Sequence, residues 1–275
     1  MTEECGILNL ATCIPEKMFD FFLNILNAPI QPLLNLVKSL LTEPINVSLF
    51  TSLWAIILYT ISLFYGLLLV YAGFNFMISG YDAQKRSKAK EWLKNILIMI
   101  VLVQASYFLY EIVIDIGSLL TTAIINLIDE SFFLITADNL INIGLQFFFA
   151  AFYVITLIIT TILLAIRYII VAVGVVFVPL GVFFYFIPPL QDYGKFIFNF
   201  LGICIFMTFF DALVFLVCSE LTNIPIFADI KILVMIGAFS ISNLLMIYLM
   251  FFSAIKSALQ IGKNIGIIAI AKSLI

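Results

Sequence analysis

Gln104, Tyr107, Glu111, Asp115, Ser118, Thr122 and Asn126 follow one another at steps of three or four inside Trp92–Ile128, a stretch otherwise apolar. That spacing is the period of one helical face. Two carboxylates on such a face are costly against hydrocarbon, so the stripe must meet water or other protein. The chemistry this predicts is that of a lumen wall or a subunit seam, carried by Gln104, Glu111, Asp115, Ser118, Thr122 and Asn126. Glu111 follows Lys94 by a rise of about 25 Å, which sets it near the far boundary of a bilayer rather than at its middle. A vestibule or assembly seam therefore fits better than a proton relay.

Two further ionisable residues sit in apolar stretches. Arg167 shares a helical face with Thr156, Thr160 and Gly174, and Asp211 lies within Met207–Asp211. Each needs a partner in a membrane, and an ion pair between them is the expectation. Breaking such a buried pair costs about 3–5 kcal/mol. Exchanging the two charges should therefore restore the assembly lost in either single variant, read as the size of the detergent-extracted protein. A double variant no better than the singles would exclude the pair.

Catalytic chemistry is poorly provided for. The chain has no histidine, the commonest general base and metal ligand. No metal-spaced Cys/His set, dinucleotide fingerprint or hydrolase elbow is present. Gly194-Lys195 and Gly262-Lys263 lack the flanking residues of a phosphate-binding loop. No enzyme activity and no cofactor are expected, and any work must come from a partner. Cys5 and Cys13 could close a small loop if their tail faces an oxidising exterior, or remain free thiols. Cys204 and Cys218 would stand roughly 21 Å apart along one helix and cannot bond each other.

The elements carrying these residues belong to a membrane protein. Of 275 residues, 64% are hydrophobic and 11% charged, against about half and a quarter in a soluble domain. The expected fold is all-α and polytopic. It has about five spans, with six as the alternative, and an amphipathic N-terminal helix in the membrane interface. That helix, Lys17–Thr42, sets Asp20, Asn24, Asn27, Gln31, Asn35 and Lys38 opposite an apolar face, with Pro29 and Pro32 expected to kink it. Leu49–Ile78 crosses next, with Ser52, Ala55, Tyr59, Ser62, Gly66 and Gly73 on one side in a pattern that permits close helix packing.

Lys85, Arg86, Lys88, Lys90 and Lys94 then form the densest cationic cluster, a cytoplasmic turn by the positive-inside rule. Ile143–Ile187 is long enough for two spans, yet Thr160–Gly174 offers no turn residues before Gly174. A single crossing there puts Lys256, Lys263 and Lys272 inside and Glu220 and Asp229 outside. Pro179 and the pair Pro188-Pro189 are expected breaks. The segments are thus an outer tail and interfacial helix at 1–48, a helical pair at 49–128 and a short outer loop at 129–142. Membrane helices at 143–255 and a cationic tail at 256–275 complete the chain. The N-terminus lies outside and the C-terminus in the cytoplasm.

Two segments carry a resemblance. Tyr65–Gly80, with the basic turn and Ala89–Asn95, is similar to paired membrane helices of conjugation proteins. Arg167-Tyr168-Ile169-Ile170, Val178-Pro179-Leu180-Gly181 and Pro188-Pro189 resemble the Arg…Pro…Pro progression of the polytopic inner-membrane subunit of type IV secretion systems. That is the TrbL/VirB-type channel component, with a Ced-type counterpart in archaeal DNA import. The resemblance implies a homo-oligomeric ring or platform in the cytoplasmic (inner) membrane, at the base of a pilus. Separate ATPase and pilin subunits and membrane lipid are its implied partners, with single-stranded DNA in transit. This chain has only a short outer loop where larger members carry a soluble domain.

The function expected is a non-enzymatic component forming or scaffolding the membrane passage of a DNA-transfer machine. The rivals are a small-solute or ion transporter and a purely structural pilus anchor. A net charge of −3 sits awkwardly with a phosphate-binding lumen. A transporter site at the midplane is equally ill served by so outward a stripe.

Overall fold

A computed structural model describes residues 10–135, 143–228, 230–252 and 255. Regular structure among them is entirely helical, and a helix satisfies all of its backbone groups within one segment, as lipid requires. Helix α1 is Leu10–Thr42, α2 Thr51–Ile78, α3 Ala83–Ile125, α4 Ile143–Phe186 and α5 Gln191–Leu221. The short α6, Pro225–Ala228, precedes α7, Lys231–Ile247, which ends in a π-helical turn over Tyr248–Phe252. Five described helical stretches are long and apolar enough to cross a membrane: Val47–Ile78, Ala83–Ile125, Phe148–Phe186, Pro188–Leu221 and Lys231–Phe252.

Local sequence sets the boundaries. Asn46 opens a 3-10 turn before α2, its side chain accepting from Ser48 N–H at 3.1 Å. Asp82 caps α3 by accepting from the Gln84 N–H at 2.9 Å, the usual role of a short acid ahead of a first turn. Ile187 is held extended (φ −96°, ψ 112°) before Pro188, because the proline ring excludes helical geometry from its predecessor. The helix therefore stops at Phe186 and restarts at Gln191.

Pro179 behaves differently from the expected break: α4 runs through it without interruption for 44 residues. Proline lacks only one amide and in membrane helices the freed carbonyl can be satisfied locally. α1 likewise continues through Pro29 and Pro32. The single long helix over Ile143–Phe186 is the one-crossing solution that the missing turn residues in Thr160–Gly174 predicted.

The chain divides into two compact units. One comprises Met1–Glu43, Ser118–Ile166 and Thr208–Met246. Its core is aromatic, with Phe215 and Phe239 centroids 4.7 Å apart and Tyr153 edge-on to Phe239 at 5.6 Å. Asn27 clamps the turn after α3 to α1, donating to the Ile135 carbonyl at 3.0 Å and accepting from the Ile135 N–H at 3.2 Å. Asp129 caps the 3-10 turn Glu130–Phe133. Its hydrogen bonds from Ser131 hold the carboxyl below the usual carboxylate range. The other unit comprises Pro44–Gly117, Arg167–Met207 and Ile247–Ile275. Its core gathers Ile61, Ala72, Ile96, Met99, Val103, Val182 and Phe183. Cys5, the side chain of Cys13 and the tail at 256–275 lie outside what the structure describes.

Candidate functional site

Helix α3 carries two polar stripes, and only the one bearing charge is conspicuous in the sequence. The legible one lies toward the outside of the chain. Gln104 and Asp115 are exposed, while Tyr107 and Glu111 are half-buried. Tyr107 packs edge-on against Trp54 of α2 at 5.6 Å. Farther along the helix, Ser118 and Thr122 are half-buried and donate to one acceptor, the Thr42 carbonyl at the end of α1, at 2.5 and 3.3 Å. A helix end leaves such carbonyls without intrahelical partners, so the far part of the stripe caps α1. Asn126, beyond α3's last residue, is exposed. The stripe thus divides into hydroxyls spent on the protein's own fold and an open portion centred on Gln104, Glu111 and Asp115.

The second stripe, Ser106, Tyr110, Gly117 and Thr121, faces inward. Ser106 accepts from the Trp54 indole at 3.0 Å. Thr121 and Thr208 share a hydroxyl contact at 3.2 Å. Tyr110 donates to the Val171 carbonyl of α4 at 2.6 Å. That approach needs Gly174, where any Cβ would overlap the Tyr110 hydroxyl and meet Leu201 at 2.8 Å. Gly117 similarly admits Ile205, whose side chain a Cβ would meet at 2.9 Å. Small residues that let helices approach, with hydroxyls bridging them, are the usual means of holding helices in lipid. The steps from Ser106 to Tyr110 and from Gly117 to Thr121 were a signal available in the sequence, masked by the stronger charged stripe beside it.

Arg167 is 5% exposed. Its Nε donates to the Cys204 carbonyl at 2.7 Å and an Nη to the Ile205 carbonyl at 3.0 Å. The planar fork of guanidinium suits two neighbouring acceptors in a way a lysine ammonium would not. In the other unit, Asp211 is fully buried and accepts from the Ser242 hydroxyl of α7 at 2.7 Å. Asn243 beside it donates to the Thr156 carbonyl at 3.2 Å. Within their own units, these contacts join α4 to α5, α5 to α7 and α4 to α7 by polar groups.

Lys85, Arg86, Lys88, Lys90 and Lys94 are all exposed on the first turns of α3, with Arg86 5.8 Å from the Phe76 ring centre. Cations at a helix start oppose its dipole, so their placement serves something other than helix stability. Cys204 and Cys218 are buried free thiols. Among the described residues no group of three His, Cys, Asp or Glu could hold a metal ion.

A polytopic helical membrane protein, packed through small and hydroxyl-bearing residues and keeping one charged helix face open, is the class this geometry defines. Residues 16–266 match the family described as TrbL/VirB6 plasmid conjugal transfer like protein. The chain belongs to that family and is a multi-pass membrane component of conjugal transfer systems of the type IV secretion kind. No curated protein and no solved structure matches it significantly.

Proposed function

We propose that the chain is a non-enzymatic, homo-oligomeric subunit that forms or scaffolds the passage through the cytoplasmic membrane of a DNA-transfer machine. One observation carries this: Gln104 and Asp115 stand exposed, with Glu111 half-buried between them, on a helix that must cross lipid. Left against acyl chains those groups would be costly; a water-filled lumen or a sister copy removes the cost. In this arrangement the N-terminus is outside and the basic turn Lys85–Lys94 faces the cytoplasm, where partners that supply energy would meet it. Separate ATPase and pilin subunits complete the machine, and single-stranded DNA is its cargo.

The size of the gently extracted assembly tests the proposal. A ring of several copies is expected; a monomer, or a dimer holding a small solute, would overturn it. Helix α2 supplies a sharper handle. A Cβ at Gly66 or Gly73 would meet nothing within 4 Å, so Gly66→Leu and Gly73→Leu should leave the single chain folded. If these glycines admit a neighbouring copy, the same variants should shrink the assembly, seen by light scattering of the purified protein.

A further inference from the structure

From its cap at Asp82 to Lys94, the start of α3 carries five cations and two carboxylates. Asp82 is engaged as the cap, accepting from the Gln84 N–H at 2.9 Å. Arg86, Lys90 and Lys94 follow one another at steps of four and are all exposed, so they form one strip along the helix. The same strip runs on into Leu97 and Val101, 53% and 65% exposed. Ile96, Met99 and Val103, buried in the core of the same unit, turn another face of α3 inward. Lys85, Lys88 and Glu91 lie off the strip by the same helical spacing.

Aromatic residues mark the depth. Trp92, between Lys90 and Lys94, packs edge-on against Tyr71 of α2 at 5.1 Å, and Trp and Tyr favour the headgroup level of a membrane. Lys90 and Lys94 therefore stand among headgroups, with Val101 about 10 Å deeper along the helix than Lys94. A strip that is cationic at this level and oily below it complements a molecule with an anionic head and an apolar tail. A water-soluble acidic partner would meet the charges and leave Leu97 and Val101 unused. We propose that the strip binds a single anionic phospholipid, its phosphate between Lys90 and Lys94 and one acyl chain along Leu97 and Val101. The site requires that α3 crosses the membrane, and it is independent of what the assembly transports.

The test uses the full chain in mild detergent, exposed to phosphatidylglycerol or phosphatidylcholine, with retained lipid counted by native mass spectrometry. One phosphatidylglycerol per chain should be retained in preference to phosphatidylcholine, by about fivefold for each of the two lysines. Lys90→Gln combined with Lys94→Gln, both at exposed positions, should erase the preference without changing the size of the assembly. Lys85→Gln with Lys88→Gln removes equal charge from the same turn but off the strip, and should keep most of it. Glycerophosphoglycerol, the headgroup without its chains, should not displace the lipid even in excess. Equal retention of the two lipids by the unaltered chain, or two double variants that behave alike, would overturn the proposal. Displacement by glycerophosphoglycerol would do the same, by showing a site for free anions. Assembly size, read on the same samples, tests the oligomeric reading separately.

Discussion

Replacing Glu111 and Asp115 together by leucine is expected to leave the protein inserted at normal levels while abolishing its assembly and DNA transfer. The direction follows from where the two carboxylates stand: Asp115 is exposed and Glu111 half-buried on α3. Were that face against lipid, each leucine would relieve the cost of holding a carboxylate against hydrocarbon. The variant would then be more stable and fully active. If the face lines water or a neighbour, the leucines erase the hydrophilic contact instead. Transfer frequency and assembly size, measured in the same cells as protein abundance, separate the outcomes. Unchanged transfer in a well-expressed double variant would refute a role for this face.

Gly174→Leu should have the largest effect on the fold. A side chain there must displace the Tyr110 ring and its hydroxyl from the Val171 carbonyl, and must push on Leu201. Overpacking of this kind costs about 1–3 kcal/mol, occasionally more. Stranding the buried hydroxyl adds about 1–3 kcal/mol. Together these are a large part of a typical stability of about 5–15 kcal/mol, and membrane abundance should collapse. The milder Gly174→Ala should destabilise partly. Tyr110→Phe in the Ala background should then recover some of the loss by removing the overlapping oxygen, a coupling readable as thermal unfolding of the purified variants. Additive effects would mean that Tyr110 and Gly174 do not interact.

What sequence revealed and concealed has a physical basis. Membrane helices are long and their composition is extreme, so α2 through α5 and α7 are visible in apolar length alone. The single crossing of α4 was visible as well, because a hairpin would have required turn residues that Thr160–Gly174 lacks. Pro179 misled because proline's disruption depends on whether neighbours satisfy one carbonyl, a tertiary matter. The charged stripe on α3 was found because charge in an apolar run is conspicuous. The division of that stripe was hidden: nothing in the order of residues tells that Ser118 and Thr122 serve the Thr42 carbonyl while Asp115 remains open. The inward stripe through Tyr110 was missed for the opposite reason. Glycine, serine and threonine are ordinary in apolar helices, and their importance emerges only from the partner that approaches.

Helix α2 has only 11% of its most apolar stretch buried, against 50% for α4. Its tolerance to amino-acid replacement should therefore report on its surroundings and hardly at all on its own chain. A saturation scan would divide its circumference into arcs, permissive for any oily residue where acyl chains lie and restrictive where another molecule sits. Positions 66 and 73 would then act as built-in reporters, mapping the machine's contacts from a genetic screen without any purified complex.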